Sequence, residues 1–218
     1  MKYGVIFDLD GTLLDTLEDL AIATNYALRQ FGCPQRSTNY VRSIIGNGAL
    51  RQITLALPGK EDDPDPQEVL KVYKDYYRTH CNIKTIPYPG ILEALFQLQE
   101  KYPLGIVTNK PQGPAKELCD HHFPGIYAMG ETAGIPRKPN PDMVRAAMAA
   151  LGVDRCVYVG DSEVDILTAN NSGAPCLTVT WGLRSEEELK KAGALYLCRK
   201  AEDMAAAIDA IIERTQNG

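Results

Sequence analysis

The sequence predicts an α/β fold, a mostly parallel sheet flanked by helices with a small helical domain inserted after the first strand. Three observations predict it. Short apolar runs, several rich in β-branched residues, recur at positions 3–9, 104–108, 126–129, 156–159, 176–180 and 194–197. Segments with helical periodicity separate the later runs, as at 141–151 and 201–215. Strand and helix alternating in this way need crossover connections, which cover both faces of a parallel, Rossmann-like sheet. The third observation is a break in that rhythm between the first run and the second, where residues 16–84 carry helical spacing.

The elements follow in order. Residues 3–9 are apolar and lead into Asp8, Asp10 and Gly11, the pattern of a buried strand ending in a tight turn. Periodic stretches at 17–31, 38–57 and 67–81 then read as helices, with joints around Pro34 and across 58–66. So long an interval is no ordinary loop, so residues 16–84 are expected to fold as a helical domain. Residues 1–15 and 85–218 are expected to form the core domain. The return linker, 85–90, is stiffened by Pro87 and Pro89. The acidic run Glu61, Asp62, Asp63 and Asp65 lacks the alternating ligands, central glycine and terminal glutamate of a calcium loop, and reads as a solvated turn. Helices beyond Gly182 are expected to close the flank of the sheet.

A chain of 218 residues can bury a core without disulfide staples. Its 44% hydrophobic and 23% charged residues exclude a disordered chain. A net charge of -5 with no basic stripe argues against a nucleic-acid platform but leaves room for a local phosphate pocket. The six cysteines include no pair at metal-ligand or redox spacing and read as reduced. His80, His121 and His122 form no zinc-like group with them. The first fifteen residues carry three aspartates and neither an export signal nor a membrane span, so a cytoplasmic protein is expected. A monomer and a homodimer both fit this composition.

The chemistry lies at the predicted strand ends. Asp8 and Asp10 are one residue apart, so on a strand they share a face, at the carboxyl edge where open sheets place their ligands. A second acidic cluster, Asp161, Ser162 and Asp165, follows the run at 156–159. If parallel packing brings the two ends together, their repulsion calls for a cation, and hard carboxylate oxygens suit Mg²⁺. Between them Thr108, Asn109 and Lys110 supply hydroxyl, amide and backbone donors. Lys138, in a proline-bounded segment before a helix, is the preferred anion clamp. The combination reads as a phosphate-and-magnesium site.

The motifs DLDGT (8–12), VTNK ending at Lys110, KPNP beginning at Lys138 and GDSEVD (160–165) resemble those of the haloacid-dehalogenase-like hydrolase superfamily. Within it, the chain resembles the phosphoglycolate phosphatase group over nearly its whole length. The resemblance implies that Asp8 attacks phosphorus to form an aspartyl phosphate. It implies that Asp10 protonates the leaving oxygen and then activates water. Mg²⁺ would be held by Asp8, the Asp10 carbonyl and Asp161, and the phosphoryl oxygens by Thr108, the Asn109 backbone and Lys138. Ser162 and Asp165 would support this shell, Asp165 by holding a metal water or Lys138. The presence of Asp10 argues against a dehalogenase, and the absence of lysine from 38–59 argues against a phosphonate hydrolase with a cap Schiff base.

The inserted helices are expected to act as a cap that excludes water and selects substrate. Arg42, Ile45, Gly46, Asn47 and Gly48 are the local candidates, with Arg42 as partner for a substrate carboxylate. The best expectation is hydrolysis of 2-phosphoglycolate, a small phosphorylated metabolite. Sugar-phosphate and nucleotide phosphatases, pyrophosphatase and phosphosugar mutase remain open, as does a non-catalytic phosphate-binding or regulatory protein on the same fold.

Overall fold

The computed structural model describes residues 1–217. Strand β1 (Tyr3–Phe7) is followed by the short β2 (Leu14–Asp15) and four helices, α1 (Leu17–Gln30), α2 (Thr38–Ile44), α3 (Ala49–Ala56) and α4 (Pro66–His80). The chain returns through β3 (Ile86–Pro87) and then alternates α5 (Ile91–Gln99), β4 (Leu104–Pro111), α6 (Gln112–His122), β5 (Tyr127–Glu131), α7 (Asp142–Leu151), β6 (Arg155–Gly160), α8 (Glu163–Ser172), β7 (Cys176–Val179), α9 (Glu186–Lys191) and β8 (Tyr196–Cys198). A 3₁₀ turn at Ala201–Asp203 leads into α10 (Met204–Asn217).

Six strands form one sheet in the order β5-β4-β1-β6-β7-β8, and every pairing in it is parallel. All five residues of β1 are buried, as a central strand covered on both faces requires. Alternation sends Val5 and Phe7 into the larger core and Ile6 into a second core with Val107 and Tyr158. Strand order reverses about β1, whose neighbours are β4 and β6. The ends of these three strands therefore meet at one edge, where the chain leaves the sheet in diverging directions and a crevice opens.

The periodic stretch at 38–57 is two helices, not one. Ile45 is extended at ψ 154°, and Gly46 and Gly48 take φ of 116° and 80°, which other residues rarely adopt. The acidic turn has local work: Asp63 accepts the N–H groups of Gly59 and Lys60, and Asp65 caps α4 through the Gln67 N–H, with Pro66 opening the helix. The chain leaving for the inserted helices and the linker returning from them form a strand pair that periodicity does not announce, β2 and β3, too short to carry an alternating pattern.

One buried carboxylate fixes the return of the chain. Asp19, in the first turn of α1, accepts the N–H groups of Ile83, Lys84 and Thr85 and the Thr85 hydroxyl at 2.8–3.1 Å. Asp19 is 2% exposed, and its two bonds to Thr85 are buried as well. Asp19→Ala is expected to destabilise the protein by about 3 kcal/mol, because it leaves several donors of a charged acceptor unpaired. Urea unfolding that shows a lower midpoint with unchanged slope will register this loss.

Candidate active site

Asp8 leaves the end of β1 with its N–H donated to the Val159 carbonyl at 2.8 Å, which ties the turn to β6. The turn closes through Gly11 at φ 86°, a conformation costly for any side chain. From the end of β6, Asp161 accepts the Thr12 hydroxyl at 3.0 Å and the Leu183 N–H at 2.7 Å. Three loops thus converge on one carboxylate.

Asp165 stands in the first turn of α8. Its Oδ2 accepts the N–H groups of Asp161 and Ser162 and the Ser162 hydroxyl, at 3.2, 3.1 and 2.6 Å. Its Oδ1 accepts Lys138 Nζ at 2.8 Å and the Tyr158 hydroxyl at 3.2 Å. Lys138 reaches Asp8 Oδ1, Asp165 Oδ1 and the Tyr158 oxygen, each at 2.8 Å. The segment carrying Lys138 is clamped by Asn109, whose Oδ1 accepts the Lys138 N–H at 2.9 Å and whose Nδ2 donates to the Lys138 carbonyl at 3.0 Å. Asn109 Nδ2 also donates to the Gly46 carbonyl at 3.0 Å, so the same amide joins the α2–α3 break to the sheet edge. The Thr108 hydroxyl, buried beside it, accepts the Lys110 N–H at 3.2 Å.

Charge sets the character of the site. Oxygens of Asp8, Asp161 and Asp165 lie within 4.8 Å of one another. Burial pushes the Asp8 carboxyl up to about 7; Lys138 opposes the rise, while Asp165 and Asp10 add to it. Asp161 is also raised well above the ordinary carboxylate range, by burial and then by Asp165 and Asp8. Burial pulls the Lys138 ammonium down, but Asp165 and Asp8 outweigh it and hold the group well above an ordinary lysine. One lysine leaves the cluster net negative. Asp8 Oδ1, though in ion-pair contact with Lys138, accepts no well-aligned hydrogen bond. A divalent cation fits this set, because it relieves the repulsion and gives that oxygen a partner.

The cavity over these groups is lined by Asp8, Asp10, Thr108, Asn109, Lys138, Asp161, Ser162 and Asp165, and from the inserted helices by Gly46. Arg42 and Asn47 are not among its walls, and the Arg42 side chain is exposed. Arg184 occupies that side instead, donating to the Arg42 and Ile45 carbonyls at 3.1 and 2.9 Å and pairing with Glu163 at 2.9 Å. The sequence reading named Lys110 among the strand-end donors without a role for its side chain, and it missed Gln52 and Tyr73; all three line the cavity. Lys110 Nζ lies 2.8 Å from both Asp10 Oδ1 and the Tyr77 hydroxyl. Its place directly after Thr108 and Asn109 at a strand end was the available signal; Gln52 and Tyr73 gave none beyond helical periodicity.

The family model described as haloacid dehalogenase-like hydrolase matches residues 5–179, most of the chain. The chain belongs to this family. The hydrolase is 36% identical over 191 residues to a phosphoglycolate phosphatase of Rhodobacter capsulatus, covering 84% of this chain and 87% of that protein. It is 31% identical over 216 residues to a phosphoglycolate phosphatase of Vibrio parahaemolyticus, covering 94% and 95%. A crystal structure from Lactobacillus delbrueckii, of a protein provisionally named a phosphoglycolate phosphatase, superposes with a TM-score of 0.86 at 40% identity, covering 95% and 99%. The hydrolase is accordingly a phosphatase, and the six-stranded parallel sheet flanked by helices is the family's α/β fold.

Backbone approach at the sheet edge leaves no space for added atoms. A Cβ on Gly182 would collide with the Gly11 carbonyl and with Asp161. Gly182→Ala is expected to cost about 1–3 kcal/mol through this overpacking and to displace Asp161. Thermal unfolding should show the loss, and phosphatase turnover should fall with it.

Proposed function

We propose that this phosphatase hydrolyses 2-phosphoglycolate, a small phosphorylated metabolite, to glycolate and phosphate with Mg²⁺, in the cytoplasm. The observation that carries the reading is the clustering of Asp8, Asp161 and Asp165, the first and last of them paired with the buried Lys138, at the edge where Asp10 and Thr108 also stand. The phosphoglycolate phosphatases to which the chain is similar support the choice of substrate.

In this reading Asp8 is the nucleophile. Its oxygen attacks phosphorus as the ester oxygen leaves, giving an aspartyl phosphate, and Asp10 gives its proton to the departing oxygen. Asp10 then takes a proton from the water that hydrolyses the intermediate, which returns Asp8 as carboxylate. The Thr108 hydroxyl, the Asn109 backbone N–H and Lys138 hold the transferring oxygens, the positioning and charge stabilisation that phosphoryl transfer depends on. Asp8, Asp161 and the Asp10 carbonyl would hold Mg²⁺, which when bound offsets the charge of carboxylate and phosphoryl oxygens. Asp165, both oxygens committed to protein donors, positions Lys138 and the Ser162 loop. We further propose residues 16–84 as the cap and 1–15 with 85–218 as the core, the cap excluding water from the reacting groups.

The test is a Mg²⁺-dependent kinetic screen of 2-phosphoglycolate, sugar phosphates, nucleotides, pyrophosphate and phosphonoacetaldehyde. The highest kcat/KM is expected for 2-phosphoglycolate. A higher value for another compound overturns the substrate, and no turnover on any of them by folded, metal-loaded protein overturns catalysis in favour of binding alone. Lys138→Ala is expected to lower kcat by roughly 10²–10³, as loss of one preorganised charged donor does. Mg²⁺ at about a hundred times its Kd should stabilise the wild type by about 2.7 kcal/mol in thermal unfolding, and Asp161→Asn should lose most of that increment.

A further inference from the structure

Two cations line the cavity among the described residues, and they are not equivalent. Lys138 donates to Asp165 and Tyr158, stands in ion-pair contact with Asp8, and is the cation assigned above to the phosphoryl oxygens. Lys110 makes two hydrogen bonds, to Asp10 Oδ1 and to Tyr77 of α4, and an ammonium has three protons. Its side chain is 1% exposed, so the third proton has no bulk water to meet. A buried lysine with an unspent donor, aimed at a cavity, is arranged for an anion.

The distance to the reacting centre fixes which anion. Resting on the reading that Asp10 protonates the ester oxygen, that oxygen must come within hydrogen-bond reach of the Asp10 carboxyl, and Lys110 Nζ is 2.8 Å from the same carboxyl. A carboxylate carbon two bonds from the ester oxygen lies about 2.4 Å from it, so its oxygens fall beside Lys110.

We infer that Lys110, aimed by the Tyr77 hydroxyl, is the residue that selects substrates carrying a carboxylate one carbon away from the phosphate ester. Arg42 has no part in this recognition. Lys110 adds the specificity contact and Tyr77 the link through which the proposed cap takes part in it.

The experiment compares kcat/KM for 2-phosphoglycolate with that for ethyl phosphate, which carries a methyl group where phosphoglycolate has its carboxylate. Lys110 also touches Asp10, so Lys110→Met will slow both substrates, and the ratio between them is the readout. The wild type should prefer 2-phosphoglycolate. Lys110→Met should cut that preference by roughly 30-fold or more, the usual loss when one partner of a buried charged pair is removed. The drop should appear mainly as a higher KM for 2-phosphoglycolate, and Lys110→Arg should restore most of the preference. Equal losses on both substrates would overturn the inference while leaving the phosphoglycolate reading intact. A wild type that does not prefer 2-phosphoglycolate would overturn the reading itself. Should Lys110→Met fail to fold, Tyr77→Phe keeps the lysine and removes its guide; an unchanged ratio there also refutes the assignment.

Discussion

Burial of like charge at the sheet edge governs this molecule. Bringing Asp8, Asp161 and Asp165 out of water and together is unfavourable on two counts, desolvation and mutual repulsion, and both raise the carboxyls of Asp8 and Asp161. Lys138 is what makes the assembly tenable. It sits between Asp8 and Asp165, and its own backbone is held on both sides by Asn109. A lysine on a mobile loop would swing out to water; this one is 2% exposed and has no such alternative. The parallel sheet is therefore a device for cost-sharing. It places three strand ends in register, so that loops from distant parts of the chain supply donors to acids that no single segment could satisfy.

How much of this was legible in the sequence depends on whether a local pattern carried it. The strands of the sheet announced themselves as short apolar runs, because a doubly covered strand needs apolar residues on both faces. The meeting of Asp8, Asp10 and Asp161 at one cavity was legible from acidic residues placed where such runs end, and that of Lys138 from a proline-bounded segment before a helix. What remained hidden is long-range and polar. Asp19 reads as an ordinary first-turn acid, which helices favour for their dipole, and nothing local says that it binds backbone over sixty residues away. Arg42 and Arg184 illustrate the same limit. Each is an arginine near a glycine-containing segment, and only the fold shows that Arg184 donates to the carbonyls at the α2–α3 break while Arg42 supplies one of those carbonyls and leaves its side chain exposed.

The seam between the inserted helices and the sheet edge explains the break at residues 45–48. Interrupting the helix leaves carbonyls of Arg42, Ile45 and Gly46 without helical partners, and unpaired carbonyls inside a protein are costly. The sheet side supplies the missing donors through Arg184 and Asn109. Tyr77 meets Lys110 across the same seam. These hydrogen bonds add direction to the apolar contact of the two parts, whose buried residues, Leu20, Ile53 and Tyr77 among them on one side and Phe7 and Leu118 on the other, belong to one cluster. Each such bond exchanged for water changes stability by only about 1 kcal/mol.

That exchange gives the seam a logic beyond adhesion. Asn109 spends one side chain on both the Gly46 carbonyl and the segment carrying Lys138, so the arrangement of the inserted helices bears on the backbone that aims a buried cation. Lys110 does the same for Asp10 through Tyr77. The backbone that carries Lys138 and the carboxyl of Asp10 are thus each tied to the inserted helices through one amide or one hydroxyl. A change on the helical side of the cavity therefore bears on both cations at once, because the donors that fix them are shared across it.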